Sequence, residues 1–134
     1  MTEWNVEIVR RLFHAQARGD LVTIQELYAP DIEWEDVSGL WGDWGIRRGR
    51  KDVQDAFATW FEAFEEVTFL GEDFSDIGDH VVVSTRISGR GRGSGLAIDQ
   101  LITLVWAVHG GRVTRVWGFR ERREALDALG LAEA

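Results

Sequence analysis

Apolar residues recur at helical spacing in the first part of the chain. Trp4, Ile8 and Leu12 follow one another at intervals of four residues, which predicts a helix over residues 3–17. Gly-Asp then separates this segment from a second short helix, predicted over residues 21–28. The chain is therefore expected to begin with two helices.

The clearest helical pattern comes later and is followed by alternation. Over residues 50–65 one apolar stripe is formed by Val53, Phe57, Trp60, Phe61 and Phe64. Alternating positions and glycine turns predict strands over residues 32–37, 67–74, 80–88, 96–108 and 112–120, with a last helix over 121–129. Three helices before a run of hairpin strands predict an α+β fold with a mostly antiparallel sheet over the helices.

The predicted fourth strand is apolar on both faces over residues 101–108. One face is expected to pack on the helices. Since the other face would not be stable in water, a homodimer through the sheet is a natural hypothesis.

Composition narrows the class of protein. The chain has 134 residues, which suits one domain over 1–134, and it is 45% hydrophobic with a net charge of −8. This charge argues against nucleic acid as a partner. There is no cysteine, no histidine pair at metal-binding spacing, no long apolar run and no signal-like start, so we expect no metal, no cofactor, no membrane and a cytoplasmic location.

Several local phrases carry a family resemblance. They are Gly19-Asp20, Leu27 to Asp36, Arg48-Gly49-Arg50 and Gly110 to Val113. With the order of elements, they resemble the nuclear transport factor 2-like superfamily, and look most similar to SnoaL-like proteins, with ketosteroid isomerases as more distant relatives. The resemblance implies a cone-shaped, curved sheet wrapped over three N-terminal helices, with an interior pocket for a small organic molecule.

Asp36 is the first candidate for chemistry. It alternates with Ile32 and Trp34, so it is expected on an apolar strand face, where a carboxylate loses hydration and can act as a general base or acid. The resemblance supports this role, because Asp36 falls on the catalytic base of the ketosteroid isomerases. The alternative is a strand-end aspartate that caps the following loop or pairs with an arginine.

The same resemblance removes other parts of the isomerase site. The positions of that family's hydrogen-bond donors are occupied here by Leu12, Phe57 and Thr103. Of the hydroxyl groups of that site, the one of Tyr28 is retained. Since few groups are left to stabilise an oxyanion, steroid isomerisation of that type is not expected.

Three charged residues form a second group of candidates. Asp99 could share the cavity with Asp36, and Arg86 and Arg120 could pair with Asp36 or bind a carboxylate or enolate oxygen. The alternatives are an exposed aspartate near the glycine-rich turn and surface or interface salt bridges.

Pocket-wall candidates come from the aromatic residues and one histidine. They are Phe13, His14, Trp34, Phe57 and Trp60, all of which also suit a core or a rim. Trp41 and Trp44 could form a lid or cover the edge of the cone.

These candidates support two main functions. The first is a cofactor-independent proton-transfer enzyme of the isomerase, cyclase or dehydratase type, acting on a hydrophobic cyclic ketone or polyketide-like molecule. Asp36 would be the base, and Arg86 or Arg120 with Tyr28 or Thr103 would stabilise the oxyanion. The second is a non-catalytic ligand-binding or dimerisation module. Epoxide hydrolysis by Asp36, Arg86 and Asp99 is a third, weaker hypothesis.

Overall fold

The structure is a computed structural model that describes residues 2–39 and 44–130. Trp41, one of the two predicted lid residues, lies outside the described residues. The elements run in the order α1 (Thr2–Arg18), α2 (Leu21–Leu27), β1 (Tyr28–Asp36), β2 (Ile46–Arg48), α3 (Arg50–Ala63), β3 (Phe64–Ile77), β4 (His80–Gly91), β5 (Ala97–His109), β6 (Arg112–Phe119) and α4 (Arg122–Ala128).

Local signals in the sequence account for the helix boundaries. Asp20 caps α2, where its Oδ1 accepts a hydrogen bond from the Thr23 main-chain nitrogen at 3.1 Å. The predicted third helix is two residues too long, because Phe64 is already extended and is paired with Gly91 of β4. Non-local strand pairing ends this helix where helical periodicity alone would continue it.

The sheet has the strand order β2-β1-β6-β5-β4-β3. Neighbouring strands are antiparallel except for β1 and β6, which run parallel. The predicted α+β class with a curved, mostly antiparallel sheet is therefore confirmed. The short strand β2 was not predicted, since three residues are too few to show alternation.

The inner face of the sheet packs against the helices and forms the main core. Its strand residues include Ile32, Trp34, Val81, Val83, Ile87, Leu104, Trp106 and Val116. From the helices, Ile8, Leu12, Phe13, Val53 and Phe57 complete it. This is the side of the sheet on which the predicted pocket would lie.

The outer face carries a smaller core that was not predicted. Val82 and Val105 pack there with Phe119 and with Ala125 of α4. Part of the second apolar face of β5 is thus covered within the chain, by α4, while Leu101 farther along remains 53% exposed. The chain itself therefore covers part of the face that was expected to meet a partner subunit, and the homodimer stays a prediction.

Among the helices of the described residues, none is both long and apolar enough to cross a membrane.

Candidate functional site

Asp36 lies at the end of β1, on the inner face beside the buried Trp34. Its Cα partner on β6 is Gly118, so no side chain from that strand faces it across the ladder. Asp36 Oδ1 accepts hydrogen bonds from the main-chain nitrogen and the hydroxyl of Ser38, at 2.8 and 2.5 Å. These bonds match the alternative in which Asp36 caps the loop that follows the strand.

Arg120, the first residue after β6, reaches the same place. Its Nε donates to the main-chain oxygen of Ser38 at 3.3 Å. Ser38 is 6% exposed and therefore links the carboxylate and the guanidinium through a buried residue. Arg120 itself is exposed, and its predicted role in a pocket stays a prediction.

Three aromatic rings fill the space between this end of β1 and the helices. The ring of Phe57 lies 4.8 Å from Trp34 and 4.9 Å from Trp44, centre to centre. Trp44 is 5% exposed, and its Nε1 donates to the main-chain oxygen of Trp34 at 3.2 Å. Trp44 therefore closes the interior near Asp36, in the way expected of a residue that covers the edge of the cone.

A separate cleft opens where α1, α2 and α3 meet the start of β1. Its volume is about 380 Å³, and we call it the helix cleft. Its wall is formed by Gln16, Gly19, Leu21, Ile24, Gln25, Tyr28, Val53, Gln54, Phe57, Ala58 and Phe61. Tyr28 and Phe57, both predicted as pocket residues, thus line one cleft.

Two polar features mark the helix cleft. Burial raises the pKa of the Tyr28 phenol, which keeps the hydroxyl protonated. Gln25 of α2 donates from Nε2 to Oε1 of Gln54 of α3 at 2.7 Å, so one amide pair joins two walls of the cleft.

The other predicted wall residues lie in different places. Trp60 lines a cleft of about 340 Å³ between β2 and α3. Phe13 and His14 line a groove of about 210 Å³ between α1 and β3. Asp36 lines neither of these, nor the helix cleft.

Arg86, Asp99 and Thr103 lie on the outer face of the sheet, so the expectation that they face the interior with Asp36 is wrong. Arg86 Nη1 is 2.8 Å from Asp99 Oδ1, and both side chains are about half exposed. Thr103 is buried between Ser84 and Phe119 of the neighbouring strands. The cause is strand alternation, because these residues share the parity of Val82 and Val105, which pack under α4.

Sequence reasoning missed the glutamines of the helix cleft. On α3 the signal was present, since Gln54, Phe57, Ala58 and Phe61 recur at the spacing of one helix face. Neither Gln25 nor Gln54 was among the predicted pocket residues. Over residues 2–39 and 44–130, no three His, Asp or Glu side chains converge to hold a metal ion.

The sequence matches the SnoaL-like domain family over residues 9–116, which is most of the chain. The chain belongs to the SnoaL-like domain family. This SnoaL-like chain is 32% identical over 117 residues to the uncharacterized protein Rv0034 of Mycobacterium tuberculosis, covering 86% of the chain and 87% of that protein.

Solved structures share the fold of this SnoaL-like domain. A nuclear transport factor 2-like protein of unknown function from Burkholderia pseudomallei superposes with a TM-score of 0.78 at 21% identity, covering 92% of this chain and 95% of that one. TerC, co-crystallized with polyporic acid, gives a TM-score of 0.77 at 19% identity, covering 95% and 98%. At these identities the likeness concerns the fold.

Proposed function

We propose that this SnoaL-like chain binds a small, mainly apolar organic molecule in the helix cleft. The observation that carries the proposal is the cleft itself, with a volume of about 380 Å³ between three helices and β1. Small-molecule sites fall in this size range and combine apolar walls with a few polar groups. TerC, which shares the fold, was crystallised with a small organic molecule, polyporic acid.

The lining of the helix cleft supports an aromatic or alicyclic ligand. Phe57, Phe61 and Ile24 offer apolar surface, and Tyr28 and the glutamines offer hydrogen-bonding groups. A flat ring can stack against the phenylalanines, while its polar substituent reaches the amides at the rim. The ligand is expected to enter without displacing the aromatic core around Trp34.

Titration with a panel of aromatic ketones, aromatic acids and steroids tests this proposal. Binding is expected to change tryptophan fluorescence, because Trp34 lies 4.8 Å from the cleft residue Phe57. Ala58→Trp, on the exposed side of the cleft, is expected to abolish the change by filling the site. Ala63→Trp places the same side chain on α3 outside the cleft and serves as the control. A panel in which no compound binds would overturn the proposal.

A second candidate is proton transfer with Asp36 as general base. The supporting observation is the place of its carboxylate, on the inner face beside Trp34 and bonded to the buried Ser38. Arg120 lies on the same side of the sheet and could stabilise a developing oxyanion near Ser38. In this candidate Arg86, Asp99 and Thr103 have no part.

Hydrogen–deuterium exchange at the α-carbon of cyclic ketones, followed by NMR, tests the second candidate. If Asp36 is the base, Asp36→Asn is expected to slow exchange by about 10²–10⁴-fold. Asp31→Asn, an exposed change on the same strand, is the matched control. Exchange that is no faster with the wild-type chain than in buffer would exclude this activity.

We also propose that two copies associate through the outer faces of β3, β4 and β5. Leu70 and Leu101 are 55% and 53% exposed there. The ion pair of Arg86 with Asp99 gives this face both signs of charge, so a two-fold related copy could be complementary to it. Sedimentation at micromolar concentration is expected to give the mass of two chains, and Leu101→Asp that of one. A wild-type monomer would contradict the proposal.

A further inference from the structure

The walls of the helix cleft are uncharged. Of the residues that line it, Tyr28 is the one with a titratable side chain. Its phenol is neutral near pH 7, as tyrosine ordinarily is, and burial raises the pKa further. From this we infer that the ligand of the helix cleft carries no net charge and is oriented by glutamine side chains. The inference rests on the proposed binding function and names the class of molecule bound.

The other clefts of the described chain differ in this respect. The cleft between β2 and α3 contains Arg47, Asp52 and Asp55. The groove between α1 and β3 contains Arg10 and His14. Since 28% of the whole chain is charged, a concave surface of this size without an ionic side chain is a distinct chemical environment.

An ionic ligand would lose hydration in this cleft, where none of the lining side chains carries an opposite charge. Desolvation of an unpaired ion is far more costly than desolvation of a ketone, amide or hydroxyl group that keeps a hydrogen bond. Arg50 lies close to the same strand, but its Nε and Nη2 both donate to the main-chain oxygen of Tyr28, at 2.9 and 2.6 Å. Arg50 lines a neighbouring, more open depression of about 430 Å³ together with Glu26 and Arg112. This charged depression borders the helix cleft at Leu21 and Gln25, but Arg50 is not part of the cleft wall.

Gln25 and Gln54 can hydrogen-bond to a neutral ligand group that accepts and also to one that donates. In the bond from Gln25 to Gln54, one donor and one acceptor are used. A carboxamide has two N–H donors and an oxygen with two lone pairs, so each amide keeps further capacity for a ligand. A ketone or amide oxygen can accept from the Gln54 amide, and a hydroxyl or amide N–H can donate to the Gln25 oxygen.

Three probes with one ring skeleton test the inference by calorimetry at neutral pH. They are methyl naphthyl ketone, naphthoate and naphthylmethylammonium, which differ in charge. The ketone is expected to bind to the intact chain at least about tenfold more tightly than either ion. Gln54→Glu is expected to lower the affinity for the ketone and to raise the affinity for the ammonium probe. Gln100→Glu adds the same charge on β5, outside the cleft, and is expected to leave all three affinities unchanged.

The outcomes separate this inference from the proposed function. If the ions bind as tightly as the ketone, and Ala58→Trp abolishes all binding, the helix cleft is a ligand site but the inference is overturned. If Gln54→Glu leaves the relative affinities for the three probes unchanged, the inference is also overturned. If no probe binds to the wild-type chain, and the wider panel fails as well, the proposed function is overturned together with the inference.

Discussion

The indole nitrogen of Trp44 donates a hydrogen bond to the main-chain oxygen of Trp34, 3.2 Å away. The two rings also meet edge to face, with their centres 6.4 Å apart. The segment that returns from the loop after β1 is thereby fixed to the strand before the loop. This contact closes the interior at the end that carries Asp36.

Replacing Trp44 tests how much this closure stabilises the fold. Trp44→Ala is expected to lower the free energy of unfolding by about 3–5 kcal/mol, because a buried aromatic side chain is removed. Trp44→Phe keeps a ring but loses the hydrogen bond, and is expected to cost roughly 1 kcal/mol or somewhat more. Urea denaturation measures both. Trp4→Phe, at a position that is 56% exposed, is the control and should change stability by less than about 0.5 kcal/mol.

Gly71→Ala is expected to destabilise the fold through crowding. A Cβ at this position would lie 2.7 Å from Cζ of Phe74 and 3.2 Å from Cγ1 of Val83, and the first distance is too short for carbon atoms. Phe74 must shift, and it packs against Phe13 of α1. We expect a loss of about 1–3 kcal/mol in urea denaturation. The exposed neighbour Glu72→Ala should have little effect, and an equal loss in both variants would contradict this explanation.

His80 gives stability a pH dependence of known sign. Burial lowers the pKa of His80 below 6.5, His109 and Arg115 lower it further, and Asp79 opposes them. The unfolded chain then binds a proton more readily than the folded chain, so the free energy of unfolding falls as pH drops through about 6.5 and below. Above this range the group is neutral in both states and contributes no dependence.

Two variants test the assignment to His80 by urea denaturation between about pH 5 and 7.5. His80→Gln is expected to flatten the dependence in this window. Asp79→Asn removes the charge that raises the pKa of His80 and is expected to make the dependence steeper. A curve for His80→Gln that coincides with the wild-type curve would show that other groups dominate.

Within a single chain, the ion pair of Arg86 with Asp99 is expected to contribute little to the free energy of unfolding. Its side chains are 46% and 63% exposed, so solvent screens the attraction. A double-mutant cycle with alanine at both positions should give a coupling energy of about 0.2–1 kcal/mol that decreases with added salt. Ligand affinity in the helix cleft should not change in either variant, since both residues lie on the opposite face of the sheet. A loss of affinity would show that the two faces are coupled.

The sequence predicts the elements that have a strong local period. The stripe through Val53 and Phe57 predicts α3, and alternation of Asp36 with Trp34 predicts that both side chains share a face. It does not predict the start of β3, because Phe64 is extended through pairing with Gly91, which is distant in sequence. Local propensity does not contain that information.

The location of the candidate site is harder to predict for a related reason. Alternation on β5 separates Thr103 from Leu104 but does not say which of them faces the helices, because both faces are apolar. That choice depends on α4, which packs on the outer face near Val105. Gln25 and Gln54 were missed because their meeting depends on how α2 approaches α3.

The parallel pairing of β1 with β6 has a consequence for how the chain folds. Arg115 of β6 donates a hydrogen bond to the Glu35 carboxylate of β1 at 3.2 Å, although the two residues are 80 positions apart in sequence. Without β6 the remaining strands form two separate groups, β2 with β1 and β5 with β4 and β3. During synthesis on the ribosome, β1 therefore emerges first, and the sheet becomes continuous only after β6, its last strand, has been made. Such late closure of distant segments slows folding and leaves the edge of β1 exposed to other chains until β6 emerges.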